Sequence, residues 1–225
     1  MIINHKYKFI FLKTKKVAGT SLEIALSKFC DQNDIISPIV EKDELTRRKL
    51  HFQGPSNHEN LKFWNHISAR ELKALISPDI WNNYTKVTCV RNTYDQLISR
   101  FFWNTNGYSR PGAQTSFDIW YKKFFETHRA TASNWDIYSI DDKAAMDVYL
   151  MYHTLEEDCS KLSEQLGLPE DLGELIQTIK TKNTSRKVLW PSVSDETFAA
   201  IHNDCHNEIE EFGFEIPEYY RKDAP

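Results

Sequence analysis

Short β-favouring runs, each followed by a helical pattern, constrain the fold of this chain more than any other feature. The runs occupy Tyr7–Leu12, Lys86–Val90 and Met146–Tyr152. After each run, apolar residues recur at the spacing of an amphipathic helix, and no hairpin signal separates the pairs. This alternation predicts an α/β fold of three layers, with helices flanking a central, mainly parallel sheet. Ligands of such sheets bind beyond the carboxyl ends of the strands.

Further helices are predicted from local signals. The segment Ser68-Ala-Arg-Glu71 has capping-box spacing, so a helix is expected to begin at Ser68 and to stop before Pro78. A last amphipathic helix is expected over Phe198–Phe212, closed by Gly213. Residues 32–65 show no sustained period and are predicted to be rich in loops.

Length, charge and cysteine content narrow the functional classes. The 225 residues suit one α/β domain over 1–225, and the net charge of -4 argues against a nucleic-acid-binding protein. No apolar run is long enough to predict a membrane span. The four cysteines form no C-x-x-C pair, which indicates thiols in a reducing compartment and a cytoplasmic location.

The segment from Lys13 to Ser21 joins the first strand to the first helix and has the chemistry of a phosphate cradle. Small residues let backbone N–H groups approach an anion, the helix N-terminus adds donors, and lysines add charge. It is not a Walker A loop, because the lysine precedes the glycine, so ATP and GTP chemistry is disfavoured. An ordinary helix-capping surface loop is the alternative interpretation.

Two motifs resemble those of PAPS-dependent sulfotransferases, where PAPS is 3′-phosphoadenosine 5′-phosphosulfate. Lys16-Val-Ala-Gly-Thr-Ser21 is similar to the loop that grips the 5′-phosphosulfate, which implies a P-loop-like nucleotide site. Val90–Trp103 resembles the second motif, whose arginine and serine, here Arg91 and Ser99, bind the 3′-phosphate. Thr93 and Gln96 depart from its usual proline and arginine.

A late basic segment, Lys182–Arg186, resembles the part of the family that closes over the nucleotide. The resemblance therefore implies a set of donor-binding residues: Lys16, Ala18, Gly19, Thr20, Ser21, Arg91, Ser99, Lys182 and Arg186. For Arg91 and Ser99 taken alone, a salt bridge at a strand end and simple helix packing are the alternatives. Lys182 and Arg186 could equally be solvated surface residues.

His66 is the predicted catalytic base, with Lys16 as the second catalytic residue. His66 lies in Asn65–Leu72, which resembles a segment of the glycan-type branch of the family. Histidine also suits proton transfer at neutral pH. His51 and His58 are the rivals, and a surface or helix-capping role is the alternative. The strand that ends near His153 resembles a further family pattern, with His153 in place of glutamate and with a matching Asp158.

Together these residues predict transfer of a sulfuryl group from PAPS, with PAP as product, to a hydroxyl group of an acceptor. The resemblance favours a carbohydrate acceptor, and no carboxylate cluster suggests a metal. Two other functions stay open: a non-catalytic module that binds PAP or a glycan, and an atypical nucleotide kinase.

Overall fold

The structure is a computed structural model that describes residues 1–59, 63–105, 115–128, 133–179 and 191–220. Its contacts divide the chain into two compact units. The first unit comprises Met1–Val90 and Ile137–Thr184, and the second comprises Arg91–Asp136 and Ser185–Pro225.

The described residues form seven strands and eleven helices. The strands are β1 (Ile2–Asn4), β2 (Phe9–Leu12), β3 (Ile35–Ile36), β4 (Thr85–Val90), β5 (Ser139–Ile140), β6 (Lys143–Ala144) and β7 (Val148–Met151). The helices are α1 (Gly19–Ser27), α2 (Glu41–Lys49), α3 (Ala69–Leu75), α4 (Pro78–Asn83), α5 (Thr93–Asn104), α6 (Phe117–His128), α7 (Trp135–Tyr138), α8 (Leu155–Leu166), α9 (Leu172–Thr178), α10 (Asp195–Asp204) and α11 (His206–Phe212).

The first unit is built on a five-stranded sheet in the order β3-β1-β2-β4-β7. β2, β4 and β7 are parallel neighbours, and β1 runs antiparallel to both β2 and β3. Four strands therefore share one direction, which confirms the predicted α/β class with a mainly parallel central sheet. Every residue of β2 is buried, as expected of a strand inside such a sheet. The core of the unit joins β2 and β4 to apolar residues of α1, α8 and α9.

The sequence shows no hairpin signal, yet β1 and β2 form a hairpin. A polar residue organises the turn between them: buried Asn4 accepts a hydrogen bond from the Tyr7 backbone N–H at 2.7 Å. The Asn4 amide also donates to the Phe29 carbonyl at 2.9 Å and to the Asp34 carboxylate at 3.0 Å. The turn thus depends on partners about thirty residues away, and it contains no Asn-Gly or Asp-Gly signal.

Residues 32–65 are rich in loops, as predicted, but they also contain β3 and α2, which the sequence did not indicate. α2 lacks an apolar stripe since its buried positions hold charged residues, including Glu44 and Arg47. The Arg47 side chain is fully buried and donates to Glu44 at 3.1 Å, while Glu44 accepts from the Ile39 backbone N–H at 2.9 Å. Acidic residues in the first turn and basic residues in the last also favour the helix dipole.

The second unit contains α5, α6, α10 and α11 around an aromatic core that includes Phe101, Phe117 and Phe198. The predicted last helix is interrupted at Cys205, so that it forms α10 and α11, and Gly213 ends α11 in the left-handed conformation. In the described part of the chain, no helix is both long and apolar enough to cross a bilayer.

Candidate active site

The loop between β2 and α1 has an unusual backbone. Lys16 and Ala18 are left-handed, with φ of 64° and 60°, a conformation that is uncommon outside glycine. Left-handed residues in turns form the concavities of backbone N–H groups that bind anions. Ala18 is the N-cap of α1 and its side chain cannot accept a hydrogen bond, and the first turn carries no acidic residue. The first-turn amides of α1 are therefore suited to an external anion.

Two contacts attach this loop to the sheet. The Thr14 hydroxyl donates to the Cys89 carbonyl, and the Cys89 thiol donates to the Val17 carbonyl at 3.2 Å. β2 and β4 pair in parallel, with Leu12 opposite Thr88, so the loop leaves the carboxyl end of the sheet. This is the edge at which ligands of such sheets bind.

Lys13 and Glu23 form a buried ion pair beneath the loop. The Lys13 ammonium lies 2.9 Å from the Glu23 carboxylate, and both side chains are almost fully buried. The Lys13 stem also explains Gly19, because a Cβ at that position would lie 3.0 Å from Lys13 Cγ and 3.3 Å from the Thr14 carbonyl oxygen. Lys13 therefore shapes the loop, with its charge compensated by Glu23.

His66 is held against the same loop. Its Nδ1 lies 2.8 Å from the Lys13 carbonyl oxygen, across a sequence separation of 53 residues. A carbonyl only accepts hydrogen bonds, so Nδ1 carries the proton and Nε2 of the neutral ring has the free lone pair. Burial lowers the pKa of His66 from 6.5 to about 4, and the charges of Lys13 and Lys15 contribute to the lowering. The imidazole is thus neutral at physiological pH and can accept a proton.

The rival histidines lie elsewhere in the first unit. His51 is exposed just beyond α2, and His58 is half-buried in the following loop. Among the described residues, His66 is the histidine whose ring bonds to the loop after β2. His66 also precedes the capping box of α3, in which Ser68 and Glu71 cap each other as the sequence predicts. The segment is therefore fixed at both ends.

In the second unit, Arg91 comes directly before Asn92, the N-cap of α5, and Ser99 lies in the second turn of that helix. Both side chains are half-buried. Thr93, which replaces the family's usual proline, is fully buried and donates to the Glu208 carboxylate at 3.2 Å. A proline could not make this hydrogen bond, so the departure has a structural role in joining α5 to α11.

Of the remaining predicted residues, two lie outside the described part of the chain and two lie near the start of α8. Lys182 and Arg186 lie outside the described residues. His153 is exposed in a short 3-10 turn after β7, whereas Asp158 accepts hydrogen bonds from the Met151 backbone and the Thr154 hydroxyl. Asp158 therefore stabilises the turn into α8. Within the described ranges, no three His, Cys, Asp or Glu side chains are grouped as metal ligands.

Two groups of residues at these sites have a structural role that the sequence did not predict. One is the Lys13–Glu23 pair, for which the available signal was a single glutamate among the apolar residues that open α1. The other is Asp95, which accepts hydrogen bonds from two tyrosines near the end of the chain. No local signal links those tyrosines to Asp95, because more than 120 residues separate them.

Comparison with known proteins gives one positive result. A model of the sulfotransferase family matches residues 1–215, which is nearly the whole chain. No curated protein and no solved structure gives a match.

Proposed function

This chain belongs to the sulfotransferase family, and we propose that it transfers a sulfuryl group from PAPS to a hydroxyl group of a carbohydrate. The family match runs through both compact units, which supports one functional domain over residues 1–225. One observation carries the proposal: the predicted base and the predicted anion loop meet at Lys13, whose carbonyl receives the His66 hydrogen bond and whose side chain packs beneath Gly19.

The loop residues fit the phosphosulfate end of PAPS. Lys16 brings a positive charge, and Ala18, Gly19, Thr20 and Ser21 supply small side chains, hydroxyls and the amides that open α1. The missing Cβ of Gly19 keeps the loop close to Lys13. When bound, PAPS supplies a sulfuryl group attached to a phosphate, a good leaving group. Lys16 and the α1 amides would balance the negative charge on that phosphate without reorganising.

His66 would take the proton of the acceptor hydroxyl at Nε2. The Lys13 carbonyl fixes the tautomer by accepting from Nδ1–H, so the lone pair of Nε2 is available for the acceptor. Because the pKa of His66 is low, the ring is in the basic form throughout the physiological range. The proton that the acceptor loses is then released from His66 to solvent.

Arg91 and Ser99 would bind the 3′-phosphate that distinguishes PAPS from ATP. A guanidinium donates two parallel hydrogen bonds to phosphate oxygens, and a serine hydroxyl can add a third. Lys182 and Arg186 are proposed as further donor contacts, on the resemblance of their segment alone.

A carbohydrate is proposed as the acceptor because the segment around His66 resembles the glycan-type branch. Trp64, two residues before His66, is 43% exposed and offers an aromatic face that suits a sugar ring. Arg70 and Asp141 form an exposed ion pair in the same unit, so polar groups are present there too.

Thermal unfolding with nucleotides tests the donor. PAP at 100 times its dissociation constant should raise the free energy of unfolding by about 2.7 kcal/mol. ATP and AMP at the same concentration should raise it far less, because they lack a 3′-phosphate. Equal stabilisation by ATP would favour a nucleotide kinase instead.

Turnover is tested separately. A panel of sulfated glycans is incubated with the protein and PAP, and formation of PAPS is followed in a single turnover. Formation of PAPS identifies the acceptor class. PAP binding without transfer to or from any sulfated or unsulfated glycan, phenol or lipid headgroup would indicate a non-catalytic binding module.

A further inference from the structure

The segment Glu215–Tyr220, which closes the described part of the second unit, is bonded to the beginning of α5. Asn92, the N-cap of α5, donates through its side-chain amide to the Glu215 carbonyl at 2.8 Å. Further along, the Tyr219 and Tyr220 hydroxyls reach Asp95 in the first turn of α5. The segment is therefore attached to the two residues that flank the helix start, immediately after Arg91.

Both phenols donate to the same carboxylate oxygen. The Tyr219 hydroxyl lies 2.6 Å and the Tyr220 hydroxyl 2.8 Å from Asp95 Oδ1. Tyr220 is 7% exposed, whereas Tyr219 is 50% exposed, so the first anchors the pair and the second faces solvent. We call Tyr219, Tyr220 and Asp95 the tyrosine clasp.

Arg91 is electrostatically part of this arrangement. Burial and Asp95 raise the pKa of both phenols, and the positive charge of Arg91 opposes that rise. The phenols therefore stay neutral donors, and Arg91 lies close enough to act on them. Arg91 directly precedes the N-cap of α5 and the half-buried Asp95 lies in the first turn, so two opposite charges that attract each other are present at the same helix end. Asp95 is thus an opposite charge at the same helix end as the cation that the proposed function assigns to the 3′-phosphate.

We propose that the tyrosine clasp sets the preference for a 3′-phosphate by holding Asp95 so that it competes less with a bound phosphate for Arg91. Two donated hydrogen bonds disperse the charge on Oδ1 and fix its direction. Without these hydrogen bonds, the Asp95 carboxylate would pair with Arg91, because a half-buried charge needs partners. Tyr219 and Tyr220 are positioning residues in this proposal, which rests on the proposed donor site.

The test uses a double variant, Tyr219→Phe with Tyr220→Phe, in the full chain. Dissociation constants are measured by calorimetry for PAP and for adenosine 5′-phosphosulfate, which lacks the 3′-phosphate. PAP binding should weaken by roughly tenfold, while adenosine 5′-phosphosulfate binding should not change. Adding Asp95→Asn to the double variant should restore PAP affinity, because the competing charge is gone.

Tyr121→Phe is the matched control. The Tyr121 hydroxyl donates to the Asp204 carboxylate at 2.9 Å within the same unit, and Arg91 does not act on its pKa. Loss of this hydrogen bond should lower stability and leave the ratio of the two dissociation constants unchanged.

Three results would overturn the proposed role of the tyrosine clasp. They are equal weakening of the binding of both ligands in the double variant, no weakening of the binding of either ligand, and a failure of Asp95→Asn to restore PAP affinity. Binding of the two ligands to the parent protein distinguishes a failure of the clasp proposal from a failure of the proposed function. A parent that binds PAP no better than adenosine 5′-phosphosulfate would refute the donor assignment itself, and the tyrosine clasp with it.

Discussion

The pKa of His66 is open to a direct test. Burial and nearby lysines lower it from 6.5 to about 4. At ~1.36 kcal/mol for each pH unit, this lowering favours the neutral ring by about 3 kcal/mol. In the unfolded chain the ring binds a proton below about pH 6.5, whereas the folded protein binds it only near pH 4. The unfolded state therefore holds more protons in this window, and the free energy of unfolding should fall as pH drops through it.

His66→Asn isolates this effect. The asparagine amide can still donate to the Lys13 carbonyl, but it cannot take up a proton. Chemical denaturation between about pH 4 and pH 7 should show a parent that loses up to about 3 kcal/mol more than the variant on acidification. Equal losses of stability in the two proteins would refute a half-buried His66 whose ring is neutral. The measurement needs neither donor nor acceptor.

The same variant tests the base in catalysis. On a verified acceptor, His66→Asn should slow transfer by roughly 10²- to 10⁴-fold, with PAP affinity nearly unchanged. For the parent, kcat/KM should fall on the acid side near pH 4 and not near pH 6.5. The acid limb of the pH profile of kcat should lie at higher pH than that of kcat/KM, because a bound anion offsets the lysine charges that lower the pKa of His66. His51→Gln and His58→Gln are controls, and a loss of transfer in either one would move the base assignment to that residue.

Three further substitutions have expected outcomes. Arg91→Ala should weaken PAP binding by about 1.5 to 3 kcal/mol and leave adenosine 5′-phosphosulfate binding unchanged, and parallel losses in calorimetry would instead indicate misfolding. Gly19→Ala should cost about 1 to 3 kcal/mol of stability and weaken PAP, because the new Cβ would lie 3.0 Å from Lys13 Cγ; an unaffected melting curve and affinity would contradict the close packing. Ser68→Ala should lower stability by about 1 kcal/mol through loss of the α3 capping box, measured by denaturant unfolding, and an unchanged midpoint would refute that role.

Elements with a local signal were predicted well. The capping box at Ser68 and the glycine that closes the last helix, Gly213, both appear as expected. The strand runs became β2, β4 and β7: β2 and β7 are shorter than their predicted ranges, and β4 begins one residue earlier. In each case the information lies in residues adjacent along the chain, where hydrophobic spacing and capping chemistry act.

Elements held by distant partners were missed. The β1–β2 hairpin depends on Asn4 bonding to Phe29 and Asp34, and α2 depends on the buried pair of Glu44 and Arg47. Neither leaves an apolar period in the sequence. A polar residue usually indicates surface, so a buried polar residue is misread until its partner is known.

The amino-acid pattern was sufficient to predict the α/β class, the order of the three strand–helix units β2–α1, β4–α5 and β7–α8, and the two motifs that resemble sulfotransferases. Three other features arise only on folding: the Lys13 carbonyl orients His66, Glu23 compensates the charge of Lys13, and two tyrosines hold Asp95. Local spacing specifies helices and strands because their hydrogen bonds and faces repeat over a few residues. The orientation and pKa of a side chain depend on groups that meet only when the chain folds, here across as many as 125 positions.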